Sequence, residues 1–507
     1  MSRYLEAASS AIHTLLEKQT VRFGGDSNGA LCVTVSALPF KDFHCVGRRV
    51  KDATFNFFLP GKGVEMEALR MDLRAWPVLE LFSDVSGDPY YRNCVIAMAE
   101  AFGQHGFDPV SGLGYLGEMA EFDALSARPA LISWATELYF KPCDDLPLDR
   151  MWQTTPDALT RMCHAVYYGL ITRPETMDYN RFCEYNFDDS QKKHSMEFNS
   201  HHCACGYTAA YLIYWWGYLH ARTGDADLLK WATALARKWK AAQNVETGLM
   251  PAWFGSDYVD EDYMPPRPFC NNWDSNTAQV YLRAAEQWKE HPDGRELARD
   301  LQEMGHRFAL GMARYGYHAE DRISPQWINT DGTRSETTWY TFPSQAIKDE
   351  AVKHEPVLKD AFVFYGSGFY EGIRPWILTA GNPLPYSVAF AAKVTGDVEL
   401  LEHAKNIASA ILEESEKLTT ELNAEQQWSF SANASYIQAL LLIFETTGDE
   451  KYLEGAQALA NRELQLLEAL PSTHMEWWRM PGRNAWIESL LLLHCACAAH
   501  SSVNRKT

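Results

Sequence analysis

A dense group of polar side chains lies between two long apolar stretches in the first half of the chain. Arg181, Tyr185 and His202 belong to it, and they are the side-chain types that β-elimination beside a carboxylate requires. In that reaction a cation neutralises the carboxylate, a base removes the adjacent proton and an acid protonates the leaving oxygen. Asn199 and His201 add hydrogen-bonding groups to the same segment. We therefore predict that this segment forms one wall of a site for an acidic molecule.

Four other segments combine aromatic with charged or polar residues. Trp and Tyr offer flat faces to pyranose rings, and Arg binds a carboxylate through two parallel hydrogen bonds. These segments therefore predict a groove for a saccharide that contains uronic acid. The expected substrate-binding residues are Trp273, Asp274, Trp339, Arg374, Glu476, Trp477, Arg479 and Arg483, together with Asn199 and His201, and Tyr370 is a further catalytic candidate.

Two other activities remain open from the residues alone. Glycoside hydrolysis needs two carboxylates at a defined separation. The carboxylates that the sequence offers are Asp178, Glu184, Asp274, Glu371 and Glu476. Asp274 or Glu476 is the expected acid of such a hydrolase, which would act on a glycoside or a uronide. A sugar isomerase, or a protein that binds saccharides without catalysis, is the third hypothesis.

Composition limits the partners and the location. The 507 residues carry a net charge of −20, which repels nucleic acid and anionic membranes. The sequence has no run of about 18 apolar residues and no apolar signal-peptide core at its start. Its 11 Cys are scattered, which is typical of reduced thiols. We expect a cytoplasmic protein whose partner is an acidic oligosaccharide, with no nucleic acid and no membrane; a homodimer is compatible with the sequence.

The elements that must position these residues are indicated by a repeated junction. A Ser/Thr-Gly-Asp triplet separates two apolar, helix-periodic stretches at Gly87, Gly224, Gly396 and Gly448. Gly supplies the left-handed residue that ends one helix, and the following Asp caps the next. Each triplet therefore predicts the tight turn of a helical hairpin.

The spacing of the repeats predicts how the hairpins assemble. Gly396 and Gly448 are about 50 residues apart, the length of one hairpin, and the Gly-Leu pairs at Gly112 and Gly248 mark the exits of two outer helices. Hairpins of this kind bury both helices by closing into a ring. We predict an all-α fold, an (α/α)6–7 toroid of helical hairpins over 65–507, with an N-terminal helix and irregular segment, 1–64, packed on it.

Only minor β-structure is expected, at the N-terminal edge, where the short, mostly apolar stretch of residues 30–35 is the candidate for strand pairing. The Gly-Asp turns all fall at one end of the ring, so the long connections that hold the candidate residues fall at the other end.

Several stretches, in order, resemble the family-two polysaccharide lyases, which are intracellular pectate disaccharide-lyases with an (α/α) barrel. The similarity runs from residue 1 to about residue 400 and is carried by MSRYLEAA, GLGYLGEMAEFDAL, TELYFKPCDDLPLDRMWQTTPDALTRMCHAVYYGLI, DYNRFCEY and GSGFYEGIRPWI. The last of these stretches resembles the Tyr-rich catalytic loop of that family.

The resemblance also assigns roles to single residues. It places Arg181 at the catalytic base and Glu137 at a Glu that binds a divalent metal together with two His. Met119 and Phe182 stand where the family has these His. One carboxylate alone does not hold a divalent cation tightly. We therefore expect no metal and no other cofactor, and either a metal-independent lyase for another uronate or a hydrolase for uronyl oligosaccharides.

Overall fold

The fold of this chain was analysed in a computed structural model. The structure describes residues 2–25, 31–36, 43–50, 53–60, 69–115, 120–123, 128–131, 139–140, 146–180, 183–185, 203–204, 206–251, 253–254, 269–271, 275–317, 327–333, 384–417, 429–469 and 483–504.

Helices dominate the described part of the chain, and they alternate between an inner and an outer layer. The inner helices are α2 (Ala75–Ser86), α4 (Leu148–Thr154), α6 (Gly206–Thr223), α8 (Thr277–Lys289), α10 (Leu384–Thr395), α12 (Ser429–Thr447) and α14 (Arg483–Asn504). The outer helices are α1 (Arg3–Lys18), α3 (Tyr90–His105), α5 (Pro156–Leu170), α7 (Ala226–Ala242), α9 (Arg295–Tyr315), α11 (Val398–Lys417) and α13 (Glu450–Ala469).

The inner helices form a closed circuit. Helices α6, α8, α10, α12 and α14 pack side by side in this order, and α14 packs against α2. The short α4 completes the circuit through two polar contacts. Arg150 of α4 donates to Glu80 of α2 at 2.6 Å, and Tyr218 of α6 donates to Asp149 of α4 at 2.7 Å. The protein is therefore an all-α toroid, as the repeats predict.

Residue chemistry explains the two layers. Helix α6 is buried on all sides because Trp215, Trp216 and most of its other residues contact a neighbouring helix. Outer helices such as α9 bury a single stripe. The close approach of α6 and α8 depends on Gly217, where a Cβ would lie 2.6 Å from the indole nitrogen of Trp288. That nitrogen donates to the Ile213 carbonyl at 3.2 Å.

The four Ser/Thr-Gly-Asp junctions have the predicted geometry. Gly87, Gly224, Gly396 and Gly448 are left-handed, with φ of 75°, 70°, 68° and 70°. Each glycine N–H donates to the carbonyl four residues earlier, at distances from 2.7 to 2.9 Å. The carboxylate of each following Asp accepts a backbone N–H from the first turn of the outer helix. The exit glycines Gly112 and Gly248 are left-handed as well, so both repeated marks are confirmed.

Strands lie at the N-terminal edge and around the long connections. A five-stranded sheet has the order β1-β2-β5-β6-β7, and β3 pairs with β4. The strands concerned are β1 (Thr20–Arg22), β2 (Leu31–Ser36), β3 (Phe43–Val50), β4 (Ala53–Pro60), β5 (Leu69–Met71), β6 (Ala120–Asp123) and β7 (Arg128–Leu131). The predicted pairing near residues 30–35 is confirmed by β2.

The N-terminal segment is continuous with the ring in two places. Strand β2 pairs with β5, so the sheet crosses residue 64, and α1 packs against α14 as an outer helix. The division at residue 64 stays a prediction. In the described part of the chain, no helix combines the length and apolar character that crossing a bilayer requires.

Candidate functional site

The two ends of the toroid are built differently. Every inner helix that leads into a Gly-Asp junction runs toward the same end, which we call the turn end. The inner helices therefore begin at the opposite end, the loop end, where the long connections enter and leave the ring. Helix N-termini and irregular segments meet there, which is a common setting for ligand sites.

Short antiparallel strand pairs organise the loop end, and sequence periodicity does not reveal them because most have only two residues. They are β8 (Tyr139–Phe140) with β11 (Cys183–Glu184), β9 (Ile171–Arg173) with β10 (Asp178–Tyr179), β12 (Cys203–Ala204) with β13 (Trp253–Phe254), and β14 (Phe269–Asn271) with β15 (Trp327–Asn329). Strand β10 also lies against β12.

Most candidate side chains fall outside the described residues. Their convergence therefore stays a prediction, and Arg483 is located only as the first residue of α14. The candidates outside are Glu137, Arg181, Asn199, His201, His202, Trp273, Asp274, Trp339, Tyr370, Arg374, Glu476, Trp477 and Arg479. The sequence favours a helix that begins at His201 and His202 and continues into Tyr207, and this expectation is wrong: β12 follows the two His, and α6 begins at Gly206.

Tyr185 is the one catalytic candidate whose side chain is described. It is half-buried, and its hydroxyl donates to the Gly114 carbonyl at 2.8 Å. Its ring lies 5.1 Å from that of Tyr115, whose hydroxyl donates to Asp108 at 3.0 Å. Burial and then Asp108 raise the pKa of Tyr115, so this phenol stays protonated at neutral pH. To protonate a leaving group, Tyr185 must first release the Gly114 carbonyl.

Asp178, one of the carboxylates that the sequence offers to a hydrolase, has a structural role. It is fully buried and forms an ion pair with Lys238 of α7. Thr176 donates to it at 2.9 Å, and Arg173 lies 3.9 Å away. A buried charge with these partners stabilises the fold only while they remain in place. The carboxylate therefore anchors the segment that leads into the predicted catalytic wall.

A buried polar pair, absent from the sequence prediction, joins the two ends of the chain. Asn484 in the first turn of α14 donates through Nδ2 to Asp72, which lies just before α2, at 2.9 Å. Both residues are more than nine-tenths buried. The pair connects the first and last inner helices at the loop end. The sequence pattern predicts that both residues are exposed at the start of a helix. The contact is apparent only once the ring is closed.

Buried polar atoms without hydrogen-bond partners lie in the first two turns of the inner helices. Each of the six full-length inner helices contributes at least one, and we call the group the polar collar. It consists of Trp76 through Nε1 and of side-chain oxygens of Thr208, Ser275, Asn276, Thr277, Gln279, Ser387, Ser435 and Asn484. Ser275 and Asn276 directly precede α8. Elsewhere in the described residues, Trp215 Nε1 and Gln243 Oε1 are also buried and unpaired.

Other Ser and Thr hydroxyls in the described helices form hydrogen bonds within their own helix. Thr154, Thr223 and Ser489 donate to the carbonyl four residues earlier at 2.7 to 2.9 Å. Ser435 has such a carbonyl in its own helix but makes no hydrogen bond to it. A buried polar atom without a partner costs about 1–3 kcal/mol, so a cluster of them at one level of the ring requires an explanation.

The packing of α8 gives the direction of part of the collar. A Cβ on Gly305 of α9 would meet the Ala278 carbonyl at 3.0 Å and Leu282 at 3.0 Å. This side of α8 therefore faces the outer layer. Successive residues are about 100° apart around a helix, so Thr277 and Gln279 lie on the two flanks of α8, and a Cβ on Gly206 of α6 would lie 3.7 Å from Thr277 Cγ2.

Part of the collar is visible in the sequence, outside the repeated junctions. The stretch Ser275-Asn276-Thr277 is polar although it begins an apolar inner helix. Among the described residues, no group of three His, Cys, Asp or Glu side chains could hold a metal ion. The expectation that the protein works without a metal stays a prediction, because Glu137 lies outside these residues.

The fold defines the class: the chain is an all-α toroid of helical hairpins with short strand pairs at its loop end. No model of a known protein family matches the chain, and no curated protein matches it. The resemblance to the family-two lyases therefore stays a prediction.

Solved structures with detectable similarity include three that represent different activities. An unsaturated glucuronyl hydrolase specific for heparin is 15% identical, with a TM-score of 0.37, over 58% of this chain and 75% of that chain. A cellobiose 2-epimerase from Bacillus thermoamylovorans is 12% identical, with a TM-score of 0.36, over 67% and 82%. An inactive variant of an α-1,6-mannanase from Salegentibacter sp. is 9% identical, with a TM-score of 0.42, over 98% and 100%. At these scores the fold assignment rests on the helix contacts above.

Proposed function

We propose that this protein is a carbohydrate-active enzyme that cleaves a uronic-acid-containing glycan by β-elimination at the loop end of the toroid. The observation that carries the proposal is the pairing of β8 with β11 at the loop end. Strand β8 begins two residues after Glu137, and β11 lies between Arg181 and Tyr185 in the sequence. The pairing therefore joins the segments that carry three of the catalytic candidates.

In the proposed reaction a base removes the proton next to the uronate carboxylate. The electron pair forms a carbon–carbon double bond while the glycosidic C–O bond breaks, and the leaving oxygen takes up a proton. Arg181 is the base or the carboxylate clamp, with Glu137 and Tyr370 as further catalytic candidates. The bond between Tyr185 and the Gly114 carbonyl favours His202 over Tyr185 as the proton donor.

Hydrolysis of a glycoside or uronide by the same toroid is the second candidate. It needs two carboxylates that face the scissile bond. The ion pair of Asp178 with Lys238 removes this carboxylate from the candidates. Glu184, Asp274, Glu371 and Glu476 remain. Tests of Asp274→Asn and Glu476→Gln address this mechanism directly.

One assay separates the activities. The enzyme is incubated with a panel of polyuronides, and the ultraviolet absorbance of the new double bond and the reducing ends are followed together. Both signals rise in elimination. Reducing ends without absorbance mean hydrolysis. If neither the absorbance nor the reducing ends increase, the result contradicts a role as a glycan-cleaving enzyme. Addition of a chelator should leave the rate unchanged.

The residue assignment has its own test. Arg181→Ala should abolish the absorbance signal and leave the melting temperature unchanged. Arg237→Ala, on the exposed surface of α7, is the matched control and should retain full activity. An Arg181→Ala enzyme that is stable and active would overturn the role given to Arg181.

A further inference from the structure

The exit loops of two outer helices share one set of hydrogen bonds. Two backbone hydrogen bonds of 2.8 to 3.0 Å close the loop 108–113 after α3, and the equivalent two close the loop 244–249 after α7. In each loop one oxygen of the first side chain, Asp108 Oδ2 or Asn244 Oδ1, accepts the N–H groups of the second and third residues that follow. A single side-chain oxygen is therefore sufficient to form this loop.

The second oxygen of Asp108 has a different use. Asp108 Oδ1 accepts the hydroxyl of Tyr115 at 3.0 Å, and the Tyr115 side chain is buried. At the equivalent position after α7 the chain has Pro251, which has no hydroxyl. The formation of the loop therefore does not explain why the loop after α3 combines a carboxylate with a buried tyrosine.

The ring of Tyr115 contacts the strand pair that joins the catalytic candidates. It lies 5.1 Å from the ring of Tyr185, which directly follows β11, at an interplanar angle of 36°. Tyr185 also meets Phe140 of β8 edge-on, with ring centroids 6.5 Å apart, and its hydroxyl donates to the Gly114 carbonyl at 2.8 Å. Tyr185 therefore connects both strands of the pair to the exit loop of α3. The bond to Asp108 fixes the tyrosine ring against which Tyr185 packs.

We infer that Asp108, Tyr115 and Tyr185 form a tyrosine clamp that positions the β8–β11 pair for the proposed reaction. Tyr185 is then a positioning residue and not the proton donor, and Tyr115 acts on the reaction through Tyr185. Arg181 and Glu137 each lie two residues before a strand of the pair, so a shift of the pair moves the chain segments to which both belong. A misplacement of about 1 Å lowers a reaction rate about 100-fold. This inference rests on the proposed function and adds the residues that hold its strand pair.

Two variants of Tyr185 separate positioning from proton transfer. Tyr185→Phe keeps the ring and loses one hydrogen bond, so kcat for a uronic-acid oligosaccharide should fall about fivefold, with an unchanged pH profile. Tyr185→Leu also removes the ring, and its kcat should fall about 100-fold. A proton donor predicts instead that both variants lose about 100- to 10,000-fold and that the pH profile of kcat changes. That result would overturn the clamp.

Variants of Tyr115 test whether it acts through Tyr185. Tyr115→Phe removes only the hydroxyl that Asp108 accepts, and kcat should fall about fivefold while KM stays constant. Tyr115→Leu should lower kcat about 100-fold. Neither change should lower kcat further once Tyr185→Leu is present, because the contact that transmits the effect is already lost. Losses that multiply in the double variants would show that Tyr115 acts independently of Tyr185, which contradicts the clamp.

Asn244→Ala is the matched control in the other exit loop. It removes the acceptor of two backbone N–H groups, so the melting temperature should fall while kcat stays that of the wild type. An equal fall of kcat in Asn244→Ala and Tyr115→Phe would show a general effect of stability and overturn the clamp.

Amide hydrogen exchange of Cys183 and Glu184 in β11 reports the clamp without turnover. It should be faster in Tyr115→Leu than in the wild type and unchanged in Asn244→Ala. Faster exchange supports the clamp even if no glycan is cleaved, in which case only the proposed function fails. Unchanged exchange in Tyr115→Leu contradicts the clamp although the enzyme is active.

Discussion

At the turn end of the toroid the Ser or Thr hydroxyl, the Gly N–H and the Asp carboxylate of each junction have partners, whereas at the loop end the collar atoms, Trp76 Nε1 and eight side-chain oxygens, have none. In each Ser/Thr-Gly-Asp junction the hydroxyl accepts the Asp N–H, the Gly N–H continues the helix and the carboxylate caps the next helix. The collar uses the same residue types without such bonds. Polar chemistry at the turn end thus stabilises the fold, whereas the unpaired collar atoms add no hydrogen bond to it.

Histidines extend the pairing at the turn end. His306 of α9 donates to Asp397 at 2.7 Å, and His164 of α5 contacts Asp225 at 3.0 Å. In both cases the His comes from the preceding outer helix and bonds the Asp of the next junction. The repeat therefore includes a contact between hairpins, and α5 holds the place of an outer helix although its inner partner, α4, has only seven residues.

The largest effect should come from Lys238→Met, which tests whether a charge at the loop end is structural. Without Lys238, the fully buried Asp178 loses its closest cation, and we expect the free energy of unfolding to fall by about 3–5 kcal/mol. Denaturant unfolding measures the change.

Lys240→Met is the control for that variant. It lies on the same helix and pairs with Asp300 and Glu303 at 2.8 and 2.7 Å, but near the surface. Such a pair contributes about 0–1 kcal/mol. Equal losses for both variants would show that Asp178 is not a buried anchor.

The next largest loss of stability is expected when the left-handed glycines are replaced. A Cβ added at Gly224 or Gly396 would have no atom within 4 Å. Backbone strain alone should therefore destabilise Gly224→Ala and Gly396→Ala, by about 1–2 kcal/mol each. The corresponding Asn variants should lose less, because Asn tolerates this conformation. If Ala and Asn behave alike in thermal unfolding, the junctions do not require a left-handed residue.

A smaller and pH-dependent effect is expected at Asp397. Burial raises the pKa of this carboxyl, but the Leu400 N–H and the His306 ring outweigh it and lower the pKa below its usual value. A carboxyl with a lowered folded-state pKa stabilises the protein above its unfolded pKa of about 3.9, and this stabilisation disappears as the pH falls through the folded-state value.

Asp397→Asn keeps the cap and removes the charge. Its melting temperature should therefore lie below that of the wild type at pH 7, and the two should converge as the pH falls below about 3.9. A difference that is constant with pH would exclude the charge as its cause.

The sequence predicts the ring more completely than the site, for a physical reason. Gly224 and Asp225 form the turn through bonds to residues within five positions, so a short motif contains the turn, and only the contact of Asp225 with His164 lies outside it. The pair of Asp72 and Asn484, by contrast, spans nearly the entire chain and exists only once the ring closes. The ion pair of Asp178 likewise depends on Lys238 from another hairpin, so the sequence presents this carboxylate as an acid candidate although the fold uses it as an anchor.

The smallest effect gives the sharpest form of the comparison, because two serines on neighbouring inner helices, the buried Ser489 and the half-buried Ser435, differ in pairing. Ser489 of α14 donates to Ala485 at 2.7 Å and lies 3.1 Å from the Ala434 carbonyl, the residue before Ser435 of α12. Ser489→Ala should lower the free energy of unfolding by about 1 kcal/mol. Ser435→Ala removes a buried oxygen that has no partner, so stability should stay constant or rise by a few tenths of a kcal/mol. Because both substitutions remove one hydroxyl from an inner helix, volume cannot explain a difference. Equal losses in denaturant unfolding would mean that Ser435 is paired in solution and that the collar is part of the folding core.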